Sequence, residues 1–279
     1  MLKTLTAAFT LCMLAGAAMA DVLWIQPAQY HPDNKAILGV HIRSGVGFPG
    51  HLVPRDASAL DQFYSVGPDG RAELSGTPGR DPAGLARPVD VGVHVIVCTF
   101  KPITTTMASG AFDQFLKEEG LAVAIPSETP AEGTTSVRDA RFAKAIICCE
   151  KTNAAEVWKK PTGLALELVP DADPYTLSPG AEMPFLLLAD GRPVENAQVR
   201  AASQKRPQDW TKARTDTQGR VRFKLEDSGV WLLCAVQMKP QPESAGQGGE
   251  WATDSTSLTF ELPGPDTKTI KGQPIKLYQ

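Results

Sequence analysis

The chain is poor in the residues that usually build metal and redox centres. It has 4 histidines and 5 cysteines in 279 residues, and none of them fall at metal-ligand spacing. No C-x-x-C occurs, which removes a thioredoxin-like redox role. No H-E-x-x-H, no G-x-S-x-G and no paired cysteine and histidine in loops occur either, so the common hydrolase signatures are missing. Excess positive charge is also lacking. The 28 basic residues against 31 acidic ones give a net charge of -3, with the signs interspersed. Such a surface offers no footprint for nucleic acid. Beyond the first twenty residues no apolar run approaches the length that spans a bilayer as a helix. The chain therefore reads as a non-enzymatic protein.

What is present begins with a leader. Lys3 supplies a positive start, Leu5 to Leu14 an apolar core, and Ala18-Met19-Ala20 a small-x-small cleavage signal. Residues 1–20 read as a signal peptide, which places the mature protein in the periplasm, starting at Asp21. The run "VLWI" after the break is then the first β-strand of the mature chain. After removal of the leader, with its Cys12, four cysteines remain: Cys98, Cys148, Cys149 and Cys234. An exported chain meets an oxidising compartment, so disulfides are permitted. Two readings stay open, a bond from Cys98 to one of the adjacent pair, or four buried thiols acting as small apolar side chains.

With 23 prolines and 24 glycines the chain is punctuated too often for long helices. Apolar and polar residues alternate through 93–100, 164–170, 184–190, 197–203, 219–225 and 229–238, the period of half-buried strands. Asp190-Gly191 between two such runs signals a tight hairpin. Short strands at this spacing predict a mainly β fold of two immunoglobulin-like or transthyretin-like sandwiches. One helix is predicted over 109–120. Phe112, Phe115 and Leu116 share a face there, and Gly120 supplies the C-cap. Glu118 and Glu119 are expected to solvate its end. Residues 136–150 are ambiguous, helical at the start and strand-like at "KAIICCE". A polar stretch with proline and glycine near 153–163 predicts a boundary between domains at 21–155 and 161–263, with a polar tail at 264–279.

Several stretches together resemble the DUF4198 family of exported bacterial proteins. They are "LWIQP" (23–27), "GVGFPGHLVPRD" (45–56), "FYSVGPDG" (63–70), "FDQFLKEEGL" (112–121), "GLALELVPDADPYTLSPG" (163–180), "LLLADGRPVENAQVRA" (186–201) and "TDTQGRVRFKLEDSGVWLLCAVQM" (215–238). "RFAKAIIC" (141–148) and "SLTFEL" (257–262) extend the likeness over nearly the whole mature chain. The resemblance implies two immunoglobulin-like domains. Through the NikM-like label often given to the group, it also implies a periplasmic component of nickel or cobalt uptake, working with an envelope transporter component. Relatives commonly place a histidine at the mature N-terminus and another in the "V-x-M" strand. This chain has Asp21 and Val22 in the first place and Gln237 in the second, so two imidazoles are missing.

Candidate ligand residues lie in turns, where a rigid scaffold can present them. His31 and His51 are the candidate ligands for a divalent metal cofactor, although a strand running out and back between them places them at opposite ends. His41 and His94 sit within strand-like runs and read as sheet residues. Asp171 and Asp173 offer two carboxylates to a hard cation, too few for calcium. "GVGFPG" satisfies G-x-G-x-x-G by letters only, because Pro49 and the following residues do not open a helix. Arg55 and Asp56 lie on the loop after it, where the guanidinium suits an anion. Trp210 and Trp251 lie in polar stretches that suit a sugar-stacking platform. The expected function is an exported binding or accessory protein. An envelope interaction module and a carbohydrate binder are the alternatives.

Overall fold

Alternating side chains produce strands over most of the chain, as the sequence predicts. The computed structural model describes residues 21–121, 133–152, 155–241 and 251–264. The predicted leader and almost all of the predicted tail lie outside them. The first half contains β1 (Val22–Pro27), β2 (Leu38–Gly45), β3 (His51–Val53), β4 (Leu60–Gly67), β5 (Gly70–Glu73), β6 (Gly84–Ala86), β7 (Gly92–Phe100) and β8 (Ile103–Ala108). Helix α1 (Ser109–Glu118) and the long strand β9 (Thr134–Cys149) complete it. The second half contains β10 (Leu166–Pro170), β11 (Ala181–Ala189), β12 (Arg192–Pro193), β13 (Gln198–Ser203), β14 (Arg206–Arg214), β15 (Arg220–Leu225), β16 (Gly229–Pro240) and β17 (Trp251–Leu262). No helix among the described residues is long and apolar enough to cross a membrane.

These strands make a mainly β sandwich of three sheets. A nine-stranded sheet forms the centre, in the order β14-β13-β16-β17-β9-β7-β4-β5, with β8 also paired to β9. One smaller sheet comes from the first half (β1, β2, β3, β6) and the other from the second (β10, β11, β12, β15). The central sheet carries one on each face. Val93, Val95 and Val97 of β7 point to one face and join Leu166, Phe185 and Phe223 in a common core. Ile96 and Cys98 point to the other face and join Ile25, Val40 and Ile42. Burial on both faces explains why β7 is apolar at nearly every position rather than alternating.

The segments 21–155 and 161–263 thus each supply a small sheet of their own and share the large one. The link is a parallel pairing of β17 with β9, Trp251 opposite Val137 through Thr259 opposite Ala145. The ambiguous segment 136–150 is strand up to Cys149. It is held between β17 on one side and β7 and β8 on the other, and these ladders outweigh any local helical preference. Asp190 and Gly191 both have positive φ, 48° and 75°, as a type I′ hairpin requires.

"GVGFPG" is the β2–β3 connection, with no helix after it. Gly50 there has φ +59°, and a Cβ at this position would lie 2.3 Å from the Trp24 ring. Trp24 is fully buried against Phe48 and Leu232, so the ring has nowhere to retreat. Gly50→Ala is expected to lower stability by about 1–3 kcal/mol through overpacking and backbone strain. A urea unfolding midpoint equal to wild type would contradict this packing.

Candidate functional site

The cover of the central sheet is incomplete on one face. Its first-half strands lie under the small sheet of β1, β2, β3 and β6. Its second-half strands lie partly under α1, whose Phe112, Phe115 and Leu116 pack with Val137, Val236 and Trp251. Between β1 and α1 a cavity of about 360 Å³ remains. Its walls are mostly apolar, Val22 and Leu23 from β1, Met107 from β8, Ala111 and Phe115 from α1, with Asp21 beside them. The floor is the sheet itself, read at alternate positions: Val137, Asp139 and Arg141 on β9, Thr253 and Ser255 on β17, Cys234 and Val236 on β16, Arg200 on β13.

The polar floor is held in place by its own pairings. Arg141 Nε donates to Asp139 Oδ2 at 2.6 Å, and Thr253 Oγ1 donates to Asp139 Oδ1 at 2.9 Å. Arg200 donates to Glu119 Oε1 at 2.7 Å, with both side chains almost wholly buried. The Cys234 sulfur is in hydrogen-bonding reach of Arg200, and the Trp210 ring lies 5.3 Å from the guanidinium carbon. The Arg200 Nε–H has no partner among the described residues. Burial pushes the Glu119 carboxyl above its ordinary value, with Arg200 acting against it. The floor therefore has two compensated ion pairs and no evident net charge.

Glu119 corrects the expectation that both glutamates solvate the helix end. Glu118 accepts from Gln114, but Glu119 turns inward to Arg200. The chain reverses at Gly120, φ +69°, where a Cβ would lie 2.8 Å from Gln198 Oε1. The last helix carbonyl and that of the following turn are capped from the other half of the chain. Gln198 Nε2 donates to Glu118 O and Arg214 donates to Gly120 O, both at 2.8 Å. A cation at this end also suits the helix dipole. Neither Glu119 nor Arg200 stands out in the sequence. Arg200 alternates with Val199 and Ala201, which reads as a solvent-facing position until α1 covers that face.

The predicted site residues lie apart. His51 is exposed on β3 opposite Ser44, at the end of the first small sheet where Ser44 faces Leu23. His31 follows the other end of β1, in a cleft beside Tyr175 and Glu261. Arg55 donates to Ala83 O at 2.7 Å and leans on Phe63, so its guanidinium braces the fold. Asp56 accepts from the Ser58 N–H and hydroxyl at 2.8 and 2.6 Å, which pulls its carboxyl below the ordinary value. Trp251 is half-buried against Phe112. Trp210 packs on Arg200 and Gly47. Asp171 pairs with Arg220, and Asp173 caps the turn at Tyr175. His41 bonds Asp81, and His94 contacts Asp90 O.

Metal chemistry finds little support in these donors. Among the described residues no three of histidine, cysteine, aspartate and glutamate gather to hold an ion. Cys98, Cys148, Cys149 and Cys234 are free and buried. Cys98 faces Ala143 while Cys148 faces Val93, so neighbouring strands do not bring these sulfurs together. Burial raises all four thiols: Cys148 to about 12, Cys149 and Cys234 to about 11, and Cys98 well up. They are poor thiolates and poor metal ligands in the fold.

Comparison with known proteins places the chain by family rather than by activity. No curated protein matches it. Among solved structures, the D0-D1 domain of Intimin is similar at 11% identity and a TM-score of 0.20, over 86% of this chain and 99% of that one. A trypsin-activated alpha-2-macroglobulin from Escherichia coli is similar at 10% identity and a TM-score of 0.20, over 88% of this chain and 16% of that one. Salmonella alpha-2-macroglobulin reacted with methylamine is similar at 12% identity and a TM-score of 0.19, over 87% and 15%. The chain thus spans less than a fifth of either macroglobulin, and overlaps this slight say nothing of function. The family model described as a domain of unknown function, DUF4198, matches residues 18–239. That stretch holds α1, the floor strands β9 and β13 and all but the end of β16: the chain belongs to the DUF4198 family.

Proposed function

We propose that the protein is an exported, non-enzymatic binding protein whose cavity between β1 and α1 holds a small amphipathic organic molecule. The observation that carries this reading is the gap in the cover of the central sheet. Mostly apolar walls there face a floor of side chains whose charges are already paired. An apolar body would gain by leaving water. Hydroxyl or amide groups on the ligand would find Thr253, Ser255 and the outer lone pairs of Asp139. Export rests on the leader predicted at residues 1–20. A nickel or cobalt role, and with it a transporter partner, would need donors that the described residues do not assemble.

The test is a titration of the mature protein with N-phenyl-1-naphthylamine, a neutral probe whose fluorescence rises in apolar surroundings. One saturable site is expected. Ala111→Trp, which fills the cavity from the helix side, is expected to lower the affinity at least about tenfold, a loss of about 1.4 kcal/mol. Circular dichroism would establish that the variant folds. No saturable site, or equal binding by the folded variant, would overturn the proposal.

A further inference from the structure

A second cleft lies at the other end of β1, between the turn that follows it, the end of β9, the Tyr175 turn and the end of β17. It is bordered by Tyr30, His31, Tyr175, Glu261, Val230 and Lys151. Three rings meet one carboxylate there. The His31 and Tyr175 rings contact edge to face, with centroids 4.9 Å apart. Tyr175 is fixed by donating its hydroxyl to Ile146 O at 2.6 Å, and Tyr30 by its burial beside Cys148 N–H, which its carbonyl accepts at 2.8 Å. Glu261 reaches in from β17. Its Oε2 lies 3.7 Å from His31 Nε2, and among the described residues no lysine or arginine nitrogen lies within 4.0 Å of it. The His31 Nε2 itself makes no hydrogen bond there.

Lys151 borders the cleft but makes no ion pair with Glu261. Burial depresses the His31 pKa, so at neutral pH the imidazole is an uncharged ring. Burial alone raises the Glu261 carboxyl, as expected where no fixed cation offsets it. Aromatic faces around a carboxylate attract a weakly hydrated positive charge, through ring quadrupoles and direct Coulomb attraction together. We propose that the cleft formed by Tyr30, His31, Tyr175 and Glu261 binds organic ammonium ions, with Glu261 as counter-ion and the rings as walls. This site is separate from the cavity under α1 and does not depend on it.

The experiment is calorimetric titration of the mature protein with choline, beside its neutral isostere 3,3-dimethyl-1-butanol. Choline is expected to bind at one site and the isostere at least about tenfold more weakly. Glu261→Gln is expected to cost about tenfold in choline affinity, and Tyr175→Leu a similar amount. Ala111→Trp is expected to leave choline binding unchanged, so failure here and failure of the cavity are separable. Absence of binding by about 10 mM choline, equal binding of the isostere, or an undiminished affinity in folded Glu261→Gln would each overturn the proposal.

Discussion

Lys144→Ala is expected to destabilise the protein by about 3–5 kcal/mol, because it strands a buried carboxylate. Lys144 on β9 donates to Glu167 on β10 at 2.5 Å, with side chains 2% and 1% exposed. This ion pair ties the central sheet to the second small sheet, across the boundary predicted near 153–163. Glu167 accepts three further bonds, from Thr162 N, Thr162 Oγ1 and Gly163 N. Burial alone would raise its carboxyl, but Lys144 and the Thr162 donors together hold it below the ordinary value. A depressed carboxyl contributes stability above its unfolded pKa and loses it as pH falls through the folded value. The wild-type advantage over Lys144→Ala should therefore shrink in acid, below the ordinary glutamate range. The paired change Lys144→Met with Glu167→Leu is expected to remain destabilising, because the Thr162 and Gly163 N–H groups lose their acceptor. Urea unfolding at neutral pH checks all three forms. A Lys144→Ala midpoint within error of wild type would contradict the buried pair.

Arg200→Met carries the second large effect, again about 3–5 kcal/mol, since it leaves Glu119 buried without its cation. Here too the deficit is expected to shrink in acid, although the wild-type carboxyl is shifted the other way. The Glu119 carboxyl is already raised by burial, and loss of Arg200 raises it further. In the variant the folded state then holds a proton that the unfolded state releases, so stability falls as pH rises through the carboxylate range. The deficit of Arg200→Met relative to wild type should be larger at pH 7 than at pH 5. A deficit that grew on acidification would contradict the pairing of Glu119 with Arg200. The variant also loosens α1 from β13, and the naphthylamine affinity should fall with it.

Much of the local structure was legible because it depends on local chemistry. The alternating runs became strands, the face of Phe112, Phe115 and Leu116 became α1, and Asp190-Gly191 became a hairpin. What the sequence hid was which face each strand would cover. Thr253 bonds Asp139 across a separation of 114 residues, and nothing in the period of either strand announces the pairing. Because β9 and β17 join the two halves into one sheet, Arg200, which reads as solvent-facing, and Asp139 form part of the floor of a cavity. Glu119 was read as a surface charge for the same reason. His31 was singled out for metal, while its actual neighbours, Tyr175 and Glu261, come from distant segments. Their polarity alone gave no hint of a shared cleft.

The methionine methyl groups give the most direct view of the cavity. Met107 lines it, whereas Met183 is fully buried in the core on the opposite face of the central sheet. With the methionine methyls labelled by carbon-13, addition of N-phenyl-1-naphthylamine should shift the Met107 resonance by ring current and leave Met183 in place. A Met107 signal that stays still while the probe binds, or a Met183 signal that moves as far, would show that the gap between β1 and α1 is not where a ligand sits.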